Sequence, residues 1–285
     1  GIIAPEKGKV ILADVPVEDP GKNEIQVRMQ STMISPGTER AHILALPNSN
    51  QNFPYVPGYC CAGYVEKVGE GVTGFKPGEE QLFAEGVKAS RVAHIPDDMP
   101  FDYAAFNGLA QTSMQGVRKC GIELGESVLV YGLGIVGQLA LQFAKASGAA
   151  PAIGAARDPE KLRIAKECGG DVILNCKDKD LKELVAPYTK DGKGPSVVLD
   201  APVPLQLKSL TIIGAHAVFS VPDDRSQPRL WTYADDMATF NYLVTHGSVN
   251  LEPMITSRID WQDAPEAYDG LLSWNKGALA VIIHW

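Results

Sequence analysis

The stretch from residue 128 to 137, VLVYGLGIVG, decides the fold. Four apolar residues run into glycines at 132, 134 and 137, and the chain continues as QLALQFAKASGA, a good helix former. A short apolar run, a glycine-punctuated turn and a helix in direct succession read as strand, tight turn and helix. Each glycine then answers its own need. Gly132 permits the turn, Gly134 lets backbone approach a pyrophosphate, and Gly137 lets the helix pack closely on the strand. The first amides of that helix, at Ile135, Val136 and Gly137, are left aimed at the phosphates. The context predicts a dinucleotide cradle; the alternative is a bare structural turn.

Outward from this motif the texture of the chain changes in both directions. The first hundred residues are broken by Gly and Pro, and their apolar runs are short: KVILADVPV, EIQVRMQSTMI, GYVEKVG. That is the pattern of a small, mostly β domain. From about Ala104, AAFNGLAQTSMQGVRKCGI places small and apolar residues at helical spacing. After the motif, PAIGAARDPEKLRIAKECGG, DVILN, PSVVLDA and LTIIGAHAVFSV alternate helix-like segments with short β-branched runs, which predicts a parallel sheet with crossover helices. DDMATFNYLVTHG and APEAYDGLL read as helices, and ALAVIIHW as a closing strand. The expected class is α/β: a β-rich domain over residues 1–108, a doubly wound domain over 109–250, and a return to the first over 251–285.

Bulk properties narrow the partners. A chain of 285 residues, 45% hydrophobic, has room for two domains with their own cores. Its 26 basic and 34 acidic residues give a net charge of -8, and no Lys/Arg run could follow a phosphate backbone, so nucleic acid is excluded as a partner. No apolar stretch approaches the roughly 20 residues that span a bilayer, and GIIAPEKGKV lacks the layout of a signal peptide. A soluble, cytoplasmic protein with reduced thiols is expected. The five cysteines show no regular spacing, and adjacent Cys60 and Cys61 are poorly placed to bridge. Cys120, Cys168 and Cys176 read as buried small hydrophobes.

The strand after the cradle reads AIGAARDPEKL. If Pro159 opens the next helix, Ala156 takes the place where an acidic side chain would bind the adenosine ribose of NAD, and Arg157 follows. A small uncharged residue leaves room for a 2′-phosphate, and a guanidinium offers it two parallel hydrogen bonds. NADP(H) is expected ahead of NAD(H). The plainer reading leaves Arg157 a solvated charge and Asp158 a helix cap.

Three segments in order, GYCCAGYVEKVGEGVTGFKPGE, AAFNGLAQTSMQGV and GESVLVYGLGIVGQLALQFAK, make the chain resemble the medium-chain dehydrogenase/reductase superfamily along nearly its whole length. ISPGTER and LTIIGAH resemble the branch that includes bacteriochlorophyllide-type dehydrogenases. The resemblance implies a chaperonin-10-like catalytic domain joined to a Rossmann domain, and it implies where a catalytic zinc would sit. The three ligand positions fall on Pro36, Tyr59 and Gly108, none of them a ligand type for zinc. Of the matching residues only Cys60 could serve, and no Cys lies between Cys61 and Cys120 to build a structural zinc lobe. A zinc-independent enzyme is expected, with no metal.

Without a Lewis acid, a protein group must supply the proton or hydrogen bond that accompanies hydride transfer. The resemblance gives Thr38 as the hydroxyl that relays the substrate proton and Tyr59 as a phenol in a ligand's place, able to donate to a developing oxyanion. Other roles stand beside these: Tyr59 filling vacated volume, Thr38 capping the helix ERAHILAL. Thr112 matches the residue behind the nicotinamide ring, and Glu39 would sit behind the site without its usual histidine partner. His42 is one residue out of step with the family's shuttle histidine, which falls on Ala41. His216 reads as a satisfied sheet-edge histidine ahead of a cleft residue.

One departure concerns Asp200 to Leu210. Only eight residues, PVPLQLKS, separate VVLDA from LTIIGAH, and a parallel crossover needs a dozen or more. Either the sheet lacks a strand or the sequence omits residues there, and again near Glu80 to Leu82. The expected function is NADP(H)-dependent hydride transfer to or from a carbonyl, an enone or quinone, or a secondary alcohol of a small-molecule substrate. The alternatives are a non-catalytic nucleotide-binding or sensing module and an NAD-dependent alcohol or polyol dehydrogenase. The long apolar run LTIIGAHAVF predicts a covered edge and hence a homodimer.

Overall fold

The computed structural model describes all residues except 48, 79–80, 85–91, 201–230 and 274–276, and gives only the backbone for 81–84 and 200. The chain divides into two compact units, Gly1–Gly108 with Ile255–Trp285, and Leu109–Met254.

The first unit begins with a two-stranded antiparallel pair, β1 (Ile2–Ile3) and β2 (Ile11–Leu12). The run KVILADVPV thus forms a much shorter strand than its composition predicts. Then come β3 (Ile25–Ile34), α1 (Pro36–Ile43), β4 (Cys61–Val68), β5 (Gln81–Ala84), β6 (Val92–His94) and the short α2 (Phe101–Ala104). α3 (Asn107–Cys120) carries the chain across the division between Gly108 and Leu109.

The second unit holds β7 (Val128–Tyr131), α4 (Ile135–Ala146), β8 (Ala152–Ala156), α5 (Pro159–Glu167), β9 (Val172–Asn175), α6 (Leu181–Val185), β10 (Val197–Asp200) and α7 (Tyr233–Thr245). Its described strands form a parallel sheet in the order β10-β7-β8-β9. That is the nucleotide-binding order 3-2-1-4, with the switch point between β7 and β10, where ligands of such sheets bind beyond the strands' carboxyl ends. β8 is buried along its whole length, and Leu129, Ile153, Ala155, Leu174 and Val185 make one apolar cluster. A strand covered on both faces reads as continuous apolar sequence, which is why AIGAA and VLVY were legible as strands.

The chain returns to the first unit as β11 (Ile255–Asp260), α8 (Ala264–Leu272) and β12 (Ala280–His284). β12 inserts between β11 and β3, giving the sheet order β11-β12-β3-β4-β5-β6. Ile34, Ile43, Tyr268, Leu271 and Ile283 share one core, so α1 and α8 bury their apolar sides against the strands that meet there.

The described residues correct two further expectations. Ser35, not Thr38, is the N-cap of α1, because Pro36 takes the first helical position and leaves Thr38 within the first turn. Cys120 is only half-buried, near the open end of α3, whereas Cys168 and Cys176 are buried. None of the five cysteines forms a disulfide. The edge LTIIGAHAVF, His216, the short crossover after Asp200 and the segment at Glu80 lie outside the described residues. Among the described residues, no helix is long and apolar enough to cross a membrane.

Candidate functional site

The glycine turn has three members with three different constraints. Gly132 sits at φ +96, a left-handed conformation that a side chain disfavours. A Cβ at Gly137 would lie 1.8 Å from the Gly132 carbonyl oxygen, backbone against backbone, so this position excludes any larger residue. Gly134 is different. Its backbone is extended, at φ -72 and ψ -175, and a Cβ there would meet nothing within 4 Å. Among the described residues nothing requires a glycine at 134; the open space in front of it is what the residue provides.

That space fronts the N-terminus of α4. Gly134 is the N-cap, it has no side chain to cap with, and the first intrahelical bond runs from Gln138 N–H to the Gly134 carbonyl at 2.8 Å. The amides of Ile135, Val136 and Gly137 therefore have no partner within the helix, and the helix dipole favours an anion there. Ser113 on α3 donates to the Val136 carbonyl at 3.0 Å and so fixes the turn from behind. Thr112, half-buried, is the residue just before it on that helix. Ser113 was missed in the sequence because a hydroxyl inside a helical pattern gives no sign of a backbone partner 23 residues away.

At the end of β8, Ala156 is buried and Arg157 is exposed without an ion pair among the described residues. Asp158 is the N-cap of α5, accepting from Glu160 N–H at 3.0 Å, so its carboxylate is engaged in the helix start. The cradle residues thus fit a dinucleotide, with a guanidinium free beside a small residue.

In the first unit the structure brings Thr38 and Tyr59 together. The Tyr59 hydroxyl lies beside the side chains of Ser35 and Thr38, a three-hydroxyl cluster built from the start of α1 and the segment ahead of β4. Gly58, at φ +89, makes the turn that delivers Tyr59. Burial, with the Cys60 thiol alongside, pushes the Tyr59 phenol well above its ordinary range, so it stays protonated at neutral pH and can donate. Ser35 was not singled out in the sequence.

Behind this cluster lies Glu39, fully buried. Its carboxylate accepts from Ser35 N–H at 2.9 Å and from the Tyr268 hydroxyl of α8, and the Gly58 amide lies beside it. Burial raises its carboxyl to about 7, against the pull of those donors. His42, half-buried, lies against Tyr55, its Nδ1 3.1 Å from that hydroxyl. The donor set does not suit zinc, which takes thiolate, imidazole or carboxylate. Among the described residues no group of three or more His, Cys, Asp or Glu could hold a metal.

Comparison with known proteins is consistent with both halves. Residues 21–97 match the family model of the alcohol dehydrogenase GroES-like domain, and residues 136–228 that of zinc-binding dehydrogenases. Human sorbitol dehydrogenase is 24% identical over 324 aligned positions, covering 92% of this chain and 89% of that protein. A dehydrogenase of Sinorhizobium meliloti 1021 bound to NADP has the same fold, with a TM-score of 0.77 at 18% identity, covering 100% of both chains. An alcohol dehydrogenase of Escherichia coli CFT073 in complex with NADH gives 0.78 at 18% identity, covering 100% of this chain and 98% of the other.

Proposed function

Because the chain belongs to the zinc-type alcohol dehydrogenase-like medium-chain dehydrogenase/reductase superfamily, a family of NAD(P)-dependent oxidoreductases, we propose that it is an NADP(H)-dependent, zinc-independent member. Its reaction is hydride transfer to or from a carbonyl, an enone or quinone, or a secondary alcohol of a small-molecule substrate. The observation that carries this reading is Gly134, whose glycine is needed by nothing in the described chain and leaves open the front of an uncapped helix N-terminus. Arg157, exposed beside buried Ala156, supports the 2′-phosphate.

The nicotinamide cofactor supplies the hydride or receives it. Everything else falls to the chain. The amides of Ile135 to Gly137 would hold the pyrophosphate, and Thr112 would back the nicotinamide. Tyr59, kept protonated by burial, donates to the oxygen on which charge develops, and Thr38 passes the proton on. Pro36, Tyr59 and Gly108 leave nothing for zinc to bind, so no step runs through a metal. Kinship with the bacteriochlorophyllide-type branch and a homodimer belong to the same proposal.

Fluorescence titration with NADPH and with NADH, followed by hydride transfer to a panel of quinones, enones and ketones, tests it. NADPH is expected to bind at least about tenfold more tightly than NADH, as one charged hydrogen-bond pair dictates. Tyr59→Phe is expected to keep NADPH binding and lose about a hundredfold or more in turnover. Binding of neither nucleotide removes the reading. Tight binding without turnover leaves a sensing module in its place.

A further inference from the structure

Glu39 is fully buried, and no step above uses it. Three groups from three separate segments meet it: the Ser35 amide at the start of α1 and the Tyr268 hydroxyl on α8 donate to it, and the Gly58 amide ahead of β4 lies beside it. Two of them flank the hydroxyl cluster, for Ser35 is a member of it and Gly58 is bonded directly to Tyr59. Resting on the catalytic reading of Tyr59 and Thr38, we infer that Glu39 is the positioning residue of this site: its carboxylate, held by Tyr268, fixes the Tyr59 hydroxyl against Ser35 and Thr38, and its protonation releases that arrangement.

The physical ground is a count of donors and acceptors. An ionised carboxylate accepts at several lone pairs and satisfies several donors at once. A protonated carboxyl brings a donor of its own into a pocket where donors already point at it, so either one of them loses its partner or the Tyr268 hydroxyl turns round to accept. In a buried site that loss is not made good by water. Both segments that carry the cluster take their position from the same two oxygens, so a change at either oxygen is felt by the Tyr59 hydroxyl.

The phenols that face Glu39 do not change near neutrality. Tyr268 on α8 is pushed far above its ordinary range by burial and by the facing carboxylate, and Tyr59 is raised by burial as well. Tyr55 is raised to about 12, mainly by burial. All three phenols remain donors where the carboxyl, at about 7, is half-ionised. On its own helix, Arg40 is the next residue, and His42 bonds to the Tyr55 hydroxyl and not to Glu39. Cys60 adjoins Tyr59.

The test is a pH titration of the full chain labelled with tyrosine carrying carbon-13 at Cζ, which reports the hydrogen bonding of each phenol. Of the nine tyrosines, Tyr59 and Tyr268 are assigned by Tyr59→Phe and Tyr268→Phe. The Tyr59 and Tyr268 signals are expected to move together in one transition near pH 7. Glu39→Gln should abolish it. Tyr268→Phe, which removes a donor to the carboxylate, should move the Tyr59 transition to higher pH, by about half a unit or more. A Tyr59 signal that stays flat while Tyr268 titrates overturns the inference. So does a Tyr59 transition that survives in Glu39→Gln. Should that variant fail to fold, the direction of the Tyr268→Phe shift decides alone, a shift to higher pH supporting the inference and its absence overturning it. The readout needs neither cofactor nor turnover. An inactive wild-type protein whose Tyr59 titrates with Glu39 removes the catalytic reading and keeps the positioning; an active one with a flat Tyr59 does the reverse.

Discussion

At the scale of single residues, the glycine turn separates two reasons for having no side chain. Gly137 is bound by the fold, since its Cβ would sit 1.8 Å from a backbone oxygen that has nowhere to go. Gly137→Ala is therefore expected to cost about 3 kcal/mol or more, or to prevent soluble expression. Gly134 is bound only by what lies outside the chain. Gly134→Ala adds a methyl into open space at a helix N-cap and should cost less than about 1 kcal/mol, while weakening NADPH binding at least about tenfold. Melting curves and nucleotide titrations on the pair of variants check this. If Gly134→Ala binds NADPH as the wild type does, the cradle loses its chief support.

At the scale of elements, the packing of α3 against α7 depends on a buried charge. Asp236 on α7 is fully buried and accepts from Gln115 at 2.7 Å and from Arg118 Nε at 3.1 Å, both on α3. The Arg118 guanidinium also lies 3.6 Å from the centre of the Trp231 ring. Thr232 and Asp235 form a capping box that fixes where α7 begins, and hence the face Asp236 occupies. Removing one partner of a buried ion pair strands the other, so Asp236→Ala is expected to destabilise the second unit by about 3 to 5 kcal/mol in denaturant unfolding. A loss below about 1 kcal/mol would mean that the pair contributes little and that apolar packing alone joins the two helices.

At the scale of the whole molecule, the dependence of stability on pH sums over the carboxyls of an acidic chain, and Glu39 contributes with the opposite sign to paired carboxylates such as Asp171. Its carboxyl rises from 4.5 to about 7 on folding, so the folded state holds a proton that the unfolded state has released. The stabilisation is complete below pH 4.5 and is lost as pH rises to about 7. At about 1.4 kcal/mol per pH unit, the loss across that window is about 3 kcal/mol. The difference in unfolding free energy between wild type and Glu39→Gln should fall by that amount between those two pH values and then level off. A difference that stays constant with pH removes Glu39 from the account. The subtraction is needed because paired carboxylates such as Asp171, which Lys145 approaches to 2.7 Å, pull the total curve the other way.

The sequence by itself determined the elements whose causes lie within a few residues. VLVYGLGIVG announced strand, turn and helix because a left-handed Gly132 and a helix start are local events, and Asp158 with Pro159 marked the start of α5 for the same reason. Continuous apolar runs betrayed the parallel strands because both faces of that sheet are buried. Thr38 and Tyr59 were found through family likeness, and their meeting could not be read from spacing. Ser35, Gly58 and Tyr268 needed the tertiary structure. Tyr268 stands 229 residues from Glu39, and only the return of the chain, with β12 paired to β3 and α8 packed into the same core, brings the two together. Periodicity tells which face of an element is buried; which distant residue meets it there depends on strand order and register, and these are settled by the packing of the whole unit.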